Sequence, residues 1–230
     1  MNKKHAVITG AGSGLGSSLA QKLSEQGYRI SLLGRTKAKL EQIAKNISST
    51  YRIYEVDVSS YAQVQETFGA IYKDHGQVDI LINNAGLGVF KLTEHIDNNA
   101  IDDMIDINLK GTIYCTQAVL LRMKEKNEGT IVNVISTAGL EGKVNESVYC
   151  ASKFGVKGFT ESLLVELQDS AVKVLAAYMG GMKTPFWDSI YNEDQMKHMM
   201  KADDIADIII GNLKPRKNLS VPHVIIKNKI

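Results

Sequence analysis

Cysteine is scarce in this sequence, and its scarcity argues against two kinds of architecture. The 230 residues include only two cysteines, Cys115 and Cys150, which are too few for a disulfide framework. Neither cysteine stands at a metal-ligand spacing from a histidine, so the sequence predicts no metal site. We therefore expect a cytoplasmic protein whose two thiols stay reduced.

The sequence also lacks a membrane-spanning segment and a strong charge imbalance. No apolar run approaches the ~20 residues that a transmembrane helix needs, and no signal peptide precedes the first apolar segment. The 27 basic and 25 acidic residues give a net charge of +2. This balance gives no reason to expect a nucleic acid or an anionic membrane as the partner.

Strand-like and helix-like apolar patterns alternate along the chain. The predicted strands lie near 5–9, 28–33, 51–56, 78–83, 130–135, 172–178 and 222–227. The predicted helices lie near 14–26, 36–47, 60–74, 98–126 with a possible break at Asn108, 148–169 and 202–213. Alternation of this kind predicts an α/β fold with a doubly wound parallel sheet of about seven strands and helices on both faces.

Length and composition suit one domain over residues 1–230, because a chain of this size with 44% hydrophobic residues can bury one substantial core. The sheet is expected to cross over between its first and fourth strands. A ligand would then bind at the carboxyl edge of the sheet. A short substrate lid is predicted near 185–200.

A glycine-rich segment, residues 10–16, follows the first predicted strand directly and is called the glycine turn below. It reads Gly-Ala-Gly-Ser-Gly-Leu-Gly and leads into a helical pattern carried by Leu15, Leu19 and Leu23. Glycines let a backbone approach a ligand closely, and the N–H groups and dipole of a helix N-terminus favour negative charge. The turn therefore predicts a pyrophosphate site. Its spacing is not G-x-G-x-x-G, because Leu15 stands in the place of the last glycine.

Ser136, Tyr149 and Lys153 form the strongest catalytic candidate. Tyr149 and Lys153 are four residues apart, a spacing that places both side chains on one face of a helix. A free phenol has a pKa of about 10, and a nearby cation favours the phenolate, so Lys153 is expected to draw the pKa of Tyr149 toward neutrality. Ser136 follows the apolar run 130–135, which places its hydroxyl at the tip of a strand.

Both motifs resemble those of the short-chain dehydrogenases/reductases, in their smaller single-domain subgroup. The resemblance covers nearly the whole chain. It includes Thr-Gly-x-x-x-Gly-x-Gly at 9–16, Asp57-Val58, Asn-Asn-Ala-Gly at 83–86, Asn108, the Ser136–Tyr149–Lys153 set and Thr184. It implies a Rossmann-type sheet and an oxidoreductase that interconverts a small-molecule carbonyl and alcohol with a nicotinamide cofactor.

The resemblance also implies a role for each matching residue. Tyr149 would be the general acid and base, Ser136 would bind the carbonyl oxygen, and Lys153 would hold the nicotinamide ribose. Asn108 would anchor a water that links Lys153 to solvent. The residues expected to bind the cofactor are Gly10, Ser13, Gly14, Leu15, Gly16, Arg35, Asp57, Val58, Asn84, Ala85, Gly86, Tyr149, Lys153, Gly180, Met182 and Thr184.

The end of the second predicted strand indicates which cofactor is used. A site that prefers NAD usually has a carboxylate there for the ribose hydroxyls. This chain has Gly34-Arg35 instead, and a guanidinium suits a 2′-phosphate. The glycine turn adds no second basic residue, since Ser13 stands where some relatives carry one. NADP(H) is the expected cofactor, with NAD(H) possible.

The chain departs from its relatives after the sixth strand. Where many carry Pro-Gly, it has Met179-Gly180-Gly181, and losing the proline frees a backbone N–H near the nicotinamide. Met196, Met199 and Met200 lie on a helix-like stretch with Phe186 and Trp187 just upstream. This segment could form an adaptable apolar pocket wall or pack in an ordinary way. Glu141 and Lys143 could face substrate or water.

Two other functions compete with the reductase. One is a catalytically weak NADP(H)-binding sensor, against which the intact Ser136–Tyr149–Lys153 set argues. The other is a sugar-nucleotide epimerase or dehydratase, a group that carries Gly-x-x-Gly-x-x-Gly and a long C-terminal domain, both absent here. Family resemblance also implies a homodimer or homotetramer formed through the helices at 108–126 and 148–169.

Overall fold

Seven β-strands form one sheet in the computed structural model, which describes residues 3–188, 190–214 and 216–229. The strands are β1 (His5–Thr9), β2 (Arg29–Gly34), β3 (Tyr51–Glu55), β4 (Ile80–Asn83), β5 (Thr130–Val134), β6 (Lys173–Met179) and β7 (His223–Ile226). All seven predicted strands are present, and their ends differ from the predicted ones by at most two residues.

The sheet is parallel throughout, with the strand order β3-β2-β1-β4-β5-β6-β7. β1 pairs with β2 on one side and with β4 on the other. Ala6 of β1, for example, lies opposite Ile30 in β2 and opposite Ile80 in β4. The winding direction of the chain therefore reverses between β1 and β4, and a crevice opens at the carboxyl ends of these strands. The predicted Rossmann-type fold and its crossover are confirmed.

Helices cover both faces of the sheet. They are α1 (Gly14–Glu25), α2 (Lys37–Ala44), α3 (Tyr61–His75), α4 (Asn98–Ile105), α5 (Gly111–Lys126), α6 (Ser147–Glu166), α7 (Glu193–Met196) and α8 (Ala202–Leu213). α1, α2 and α8 pack on one face, and α3, α5 and α6 pack on the other. Successive residues of β1 enter opposite cores, as the period of two in a strand requires: Ala6 and Ile8 in one, Val7 in the other.

Two predicted helices end earlier than expected because their last turns tighten. Beyond α2, the N–H of Ile47 bonds the Ala44 carbonyl at 3.2 Å, and beyond α6 the N–H of Ser170 bonds the Leu167 carbonyl at 2.9 Å. These bonds span three residues rather than four, a common ending for helices. The helical stretch predicted around the lid methionines is also short, since α7 ends at Met196.

The break predicted near Asn108 is confirmed as a π-helical turn, Asp106–Lys110, between α4 and α5. A π turn inserts extra residues into a helix and occurs often at functional sites. Asn108 lies inside this turn and is almost fully buried. The π turn therefore carries one of the predicted site residues.

A buried amide ladder joins the two central strands to the helices behind them. The Asn83 amide donates to Thr116 Oγ1 at 3.0 Å and to Asn133 Oδ1 at 2.9 Å, and the Asn133 amide donates to Thr160 Oγ1 at 2.9 Å. Buried polar groups are tolerated where they are hydrogen-bonded. This ladder fixes β4 and β5 against α5 and α6 just below the carboxyl edge.

Hydrogen bonds hold together the two ends of the predicted lid, residues 185–200. Met182 and Met200 form a parallel bridge, and the N–H of Lys183 bonds the Met200 carbonyl at 2.9 Å. The Asn228 amide donates to the Gly181 carbonyl at 3.2 Å. These bonds hold the turn that follows β6, which includes Gly180 and Gly181. Closure of the segment over a substrate stays a prediction, and Ser189 lies outside the described residues.

A pair of histidines is buried at the opposite, amino-terminal edge of the sheet. His5 is fully buried; its ring bonds Ser31 Oγ at 2.8 Å and the Gln77 carbonyl at 3.1 Å, and lies 4.9 Å from the His75 ring. Burial, with His75 and Arg29 nearby, lowers the pKa of His5 from 6.5 to about 4. Protonation of His5 is therefore disfavoured in this packing.

We expect this histidine to make the fold sensitive to mild acid. Below pH 6.5 the His5 side chain is protonated in the unfolded chain but stays neutral in the folded protein. The free energy of unfolding therefore falls as pH drops toward 4. The loss should reach about 3 kcal/mol between pH 7 and pH 4. His5→Gln should flatten the pH dependence measured by urea unfolding, whereas His95→Gln, at an exposed position, should keep the parent slope. Equal slopes for the parent and His5→Gln would contradict the assignment.

Candidate active site

A cleft of about 430 Å³ lies where β1, β4, β5 and β6 end. Most of the residues predicted to form the site line it. Those are Gly10, Ser13, Gly14, Leu15, Arg35, Asn84, Ala85, Gly86, Ser136, Tyr149, Lys153, Gly180, Met182 and Thr184. The structure thus brings the glycine turn and the Ser136–Tyr149–Lys153 set to the same cavity.

The glycine turn needs its glycines for two different reasons. Gly10 and Gly14 have φ angles of +63° and +53°, which strain most other residues. Gly16 has an ordinary φ, but a Cβ there would lie 2.3 Å from the Gly10 carbonyl oxygen. Gly16 is not among the residues that line the cleft. Its missing side chain instead allows helix α1 to approach the turn closely.

Thr9 and Asn84 tie the glycine turn to the loop after β4. Thr9 Oγ1 accepts hydrogen bonds from the N–H groups of Asn84 at 2.9 Å and Ala85 at 3.0 Å. The Asn84 amide donates in return to the carbonyls of Thr9 at 3.0 Å and Gly10 at 3.2 Å. These reciprocal bonds set the width of the crevice at the crossover point.

Asn108 lies behind the cleft and supports its wall. Its Oδ1 accepts from the N–H of Leu87 at 2.8 Å, while its Nδ2 donates to the Leu87 carbonyl at 2.9 Å and to Ser152 Oγ at 3.0 Å. Gly86 separates it from the cavity, since a Cβ there would lie 3.1 Å from Asn108 Oδ1 and 3.6 Å from Lys153 Nζ. Its predicted water-anchoring role stays a prediction.

Asp57 and Val58 also lie outside the lining of the cleft. Asp57 Oδ1 accepts from the backbone and the hydroxyl of Ser59 at 2.9 and 2.7 Å. Val58 is buried and faces Gly111, where a Cβ would come within 2.8 Å of its side chain. Both residues shape the turn after β3, and their contact with a nucleotide stays a prediction.

Tyr149 and Lys153 are both buried on helix α6. Lys153 Nζ donates to the Val134 carbonyl at 3.2 Å and lies 5.8 Å from the centre of the Tyr149 ring. Ser136, at the end of β5, accepts the N–H of Ala138 at 3.1 Å. The carbonyl of Val134 thus holds the ammonium between the strand end and the phenol.

Burial controls the proton affinities of both groups. It raises the pKa of Tyr149 above its ordinary value of 10, although the nearby Ser136 hydroxyl acts in the opposite direction. It lowers the pKa of Lys153 from 10.5 to about 8. The expectation that Lys153 draws the pKa of Tyr149 down is therefore wrong here, because desolvation of the phenolate outweighs an ammonium that points to Val134.

A second cation at the cleft was missed from the sequence. Lys39 lines the cavity beside Arg35, four residues further on and within α2. Gly12 makes room for it, since a Cβ there would lie 3.2 Å from Lys39 Cβ. No local pattern marks Lys39 in the sequence, because Arg35 lies before α2 and the two residues do not belong to one helix.

Apolar lining residues were also missed, and the three methionines of the predicted lid are absent from the cavity lining. The missed residues are Leu87, Gly88, Val134, Ile135 and Met179, whereas Pro185, Phe186 and Trp187 of the predicted lid do line the cavity. Met196 is buried, and Met200 packs against the core beside α1 and α8. Met196 and Met200 therefore pack against the protein interior, none of the three methionines lines the cleft, and Glu141 and Lys143 are exposed outside the lining.

The comparisons with known proteins agree with this geometry. A family model described as short chain dehydrogenase matches residues 4–195. The chain belongs to the short-chain dehydrogenase/reductase family. It is an oxidoreductase of that family, and the motifs at 9–16, 83–86 and 149–153 are the family motifs that the sequence predicts.

Relatives of this oxidoreductase match it over nearly their full length. An uncharacterized oxidoreductase of Staphylococcus epidermidis is 32% identical over 227 residues, 99% of this chain and 98% of the relative. The alcohol dehydrogenase of the archaeon Thermococcus sibiricus, complexed with 5-hydroxy-NADP, superposes with a TM-score of 0.90 at 27% identity, covering 97% and 95% of the two chains. A short-chain dehydrogenase/reductase of Burkholderia phymatum in complex with NAD has a TM-score of 0.88 at 25% identity, covering 96% and 89%.

None of the helices in the described ranges is long and apolar enough to cross a membrane. Across the same residues, no group of three or more His, Cys, Asp or Glu side chains is placed to hold a metal ion.

The bonds around Thr9 yield a stability prediction. Thr9→Val keeps the side-chain shape but leaves the N–H groups of Asn84 and Ala85 without their acceptor. We expect it to destabilise the fold by about 2 kcal/mol in urea unfolding, since an unpaired buried donor costs about 1–3 kcal/mol. Thr9→Ser keeps the hydroxyl and is the matched control. A Thr9→Val variant as stable as Thr9→Ser would show that these bonds do not hold the crevice.

Proposed function

We propose that the protein is an NADPH-dependent reductase that converts a small-molecule carbonyl to an alcohol, or catalyses the reverse oxidation, with Tyr149 as the general acid and base. One observation carries the proposal: the buried phenol of Tyr149 opens into the same cleft as the glycine turn. A proton donor and an anion-binding turn in one cavity suit hydride transfer to a carbonyl.

The shape of the glycine turn supports a dinucleotide. Gly10 and Gly14 keep the backbone open toward the cleft, and α1 begins at Gly14 with no acidic residue in its first turn. A pyrophosphate would therefore meet N–H groups and a favourable helix dipole. When bound, the nicotinamide cofactor supplies the hydride.

Residues of the protein donate the proton and stabilise the charge that remains. Because the pKa of Tyr149 is raised, the phenol is protonated at neutral pH and can donate to the oxygen that gains charge. Ser136 would hydrogen-bond the same oxygen. With a pKa of about 8, Lys153 is charged in about nine-tenths of molecules at pH 7, and its ammonium stabilises the phenolate left after donation.

The preference for NADPH is supported by two cations at one end of the cleft. Arg35 and Lys39 both line it there, and a guanidinium with an ammonium suits a 2′-phosphate better than ribose hydroxyls. The similar dehydrogenase of Thermococcus sibiricus carries 5-hydroxy-NADP. The Burkholderia phymatum relative carries NAD, so NAD(H) is kept as a possible second cofactor.

We also propose that the enzyme works in the cytoplasm as a homodimer or homotetramer. Helices α5 and α6 leave Leu121, Phe154 and Val165 exposed, which supports contact between copies through these helices. Cys115 and Cys150 are buried and unpaired in the structure, as reduced thiols would be.

Replacing the phenol tests the reaction. Tyr149→Phe should lower NADPH-dependent turnover by roughly 10²–10⁴-fold, the usual contribution of a general acid, while the dissociation constant for NADPH stays within about twofold. Turnover is followed by NADPH absorbance over a panel of ketones, aldehydes, quinones and acyl thioesters. Tyr51→Phe, at an exposed tyrosine on the far edge of the sheet, should behave as the parent. Retained turnover in Tyr149→Phe would overturn the assignment.

The same panel separates the enzyme from the sensor alternative. A parent protein that binds NADPH tightly and reduces no member of the panel would favour a sensor. Turnover by the parent and loss in Tyr149→Phe would favour the reductase.

Removing the cations tests the cofactor preference. Arg35→Ala and Lys39→Ala should each weaken NADPH binding by roughly 10–100-fold, because charged hydrogen bonds contribute about 1.5–3 kcal/mol, and should change NADH binding less than threefold. Lys45→Ala, an exposed lysine just beyond α2, is the control. Equal losses for both cofactors would contradict recognition of the 2′-phosphate. Calorimetric titration at two salt concentrations gives the values.

A further inference from the structure

Aromatic side chains from two loops meet beside the reacting phenol. Phe90 comes from the loop after β4, and Phe186 and Trp187 come from the 3₁₀ turn Pro185–Trp187 at the start of the lid. Phe90 stands edge-on to the Tyr149 ring at 5.3 Å, and Phe186 lies 6.1 Å from the same ring. We call Phe90, Phe186 and Trp187 the aromatic wall.

The three rings of the aromatic wall also pack against one another. Phe90 stacks on Trp187 at 5.1 Å with only 18° between the planes, and Phe186 meets Trp187 edge-on at 5.0 Å. Phe186 and Trp187 line the cleft, whereas Phe90 supports them from outside it. All three rings keep partial exposure, so the wall presents an apolar surface to whatever enters.

Gly88 sets the position of the wall. A Cβ at Gly88 would lie 2.5 Å from Phe90 Cζ and 3.0 Å from Phe186 Cζ. Both rings close over the loop backbone at Gly88, and a side chain at this position would require them to shift. Its φ is not in the left-handed region, so the glycine serves the rings and not the turn.

The charges of the cleft lie away from this wall. Among the described residues, the charged side chains that line the cavity are Arg35, Lys39 and Lys153. Arg35 directly follows β2, Lys39 lies in α2, and Lys153 is turned to the Val134 carbonyl. The part of the cleft between Tyr149 and the wall thus offers no counter-ion for a carboxylate or phosphate on a substrate.

From this arrangement we propose that the substrate is an uncharged carbonyl compound whose carbonyl is attached to a flat ring, and that Phe186 and Trp187 determine this specificity. The inference rests on the proposed reductase function and adds the substrate class to it. A flat ring packs on Phe186 and Trp187 by edge-to-face or offset contact, while its carbonyl oxygen faces Tyr149 and Ser136. Phe90 is a positioning residue, because it acts on the substrate through Trp187.

The experiment uses three aldehydes that differ in one property each. 4-Methylbenzaldehyde has a neutral ring, 4-carboxybenzaldehyde a charged ring of similar shape, and hexanal an open chain. With NADPH, kcat/KM for the neutral ring should exceed that of each of the others at least tenfold. Phe186→Leu should reduce this ratio at least fivefold, mainly through KM, whereas Tyr51→Leu should leave it unchanged. Gly88→Ala should lower the neutral-ring value more than the hexanal value.

Binding can be followed separately from turnover, because Trp187 is the only tryptophan in the chain. Its emission, corrected for absorption by the ligand, should change saturably with 4-methylbenzaldehyde at concentrations at least tenfold below those needed for the other two. This signal reports occupation of the wall whether or not the aldehyde is reduced.

The outcomes separate the two proposals. Selective binding at Trp187 without reduction would support the ring-binding wall and overturn the reductase function. Equal reduction of hexanal and the neutral ring would uphold the reductase and overturn the substrate class. No change in Trp187 emission, or an unchanged ratio in Phe186→Leu, would also overturn the substrate class.

Discussion

The reciprocal hydrogen bonds between Thr9 and Asn84 are the constraint on which the site depends. The sheet must open between β1 and β4 because the winding reverses there, yet the glycine turn and the loop after β4 must stay at a fixed separation to form one cleft. The Thr9 hydroxyl and the Asn84 amide satisfy four backbone groups across this gap. Gly16 then permits close packing, since a Cβ there would also lie 2.6 Å from the Asn84 amide.

Hydrogen-bonded buried amides also fix the parts of the cleft wall that β4, β5 and the loop after β4 form. The Asn83 ladder fixes β4 and β5, and the Asn108 amide holds both backbone groups of Leu87. The π turn makes the second arrangement possible by placing Asn108 against the loop. Each amide therefore fixes one stretch of the cleft wall, and the wall keeps its shape without a charged framework.

Most of the fold and much of the site could be predicted from the sequence, because their signals are local. Periodicity located all seven strands, and the glycine turn and the Tyr149–Lys153 spacing carry their geometry in adjacent residues. Lys39, Phe90 and Gly88 carried no such signal, since their roles arise from contacts between separate loops and helices. The pKa of Tyr149 was misjudged for a related reason: spacing shows that a lysine is near, but only packing shows that both groups are buried and that the lysine faces Val134.

The burial of Tyr149 and Lys153 together gives the lysine a part in the proposed reaction, although the pKa of the phenol is raised. A buried phenol alone would hold its proton too tightly to release it, since nothing would balance the phenolate charge. Burial also makes the ammonium easier to deprotonate, since it lowers the pKa of Lys153 from 10.5 to about 8. Placed 5.8 Å from the ring centre, each group becomes easier to charge when the other is charged. In the proposed reaction, the phenol therefore stays neutral beside an ammonium that is already charged, and that ammonium stabilises the phenolate formed when the substrate oxygen takes the proton.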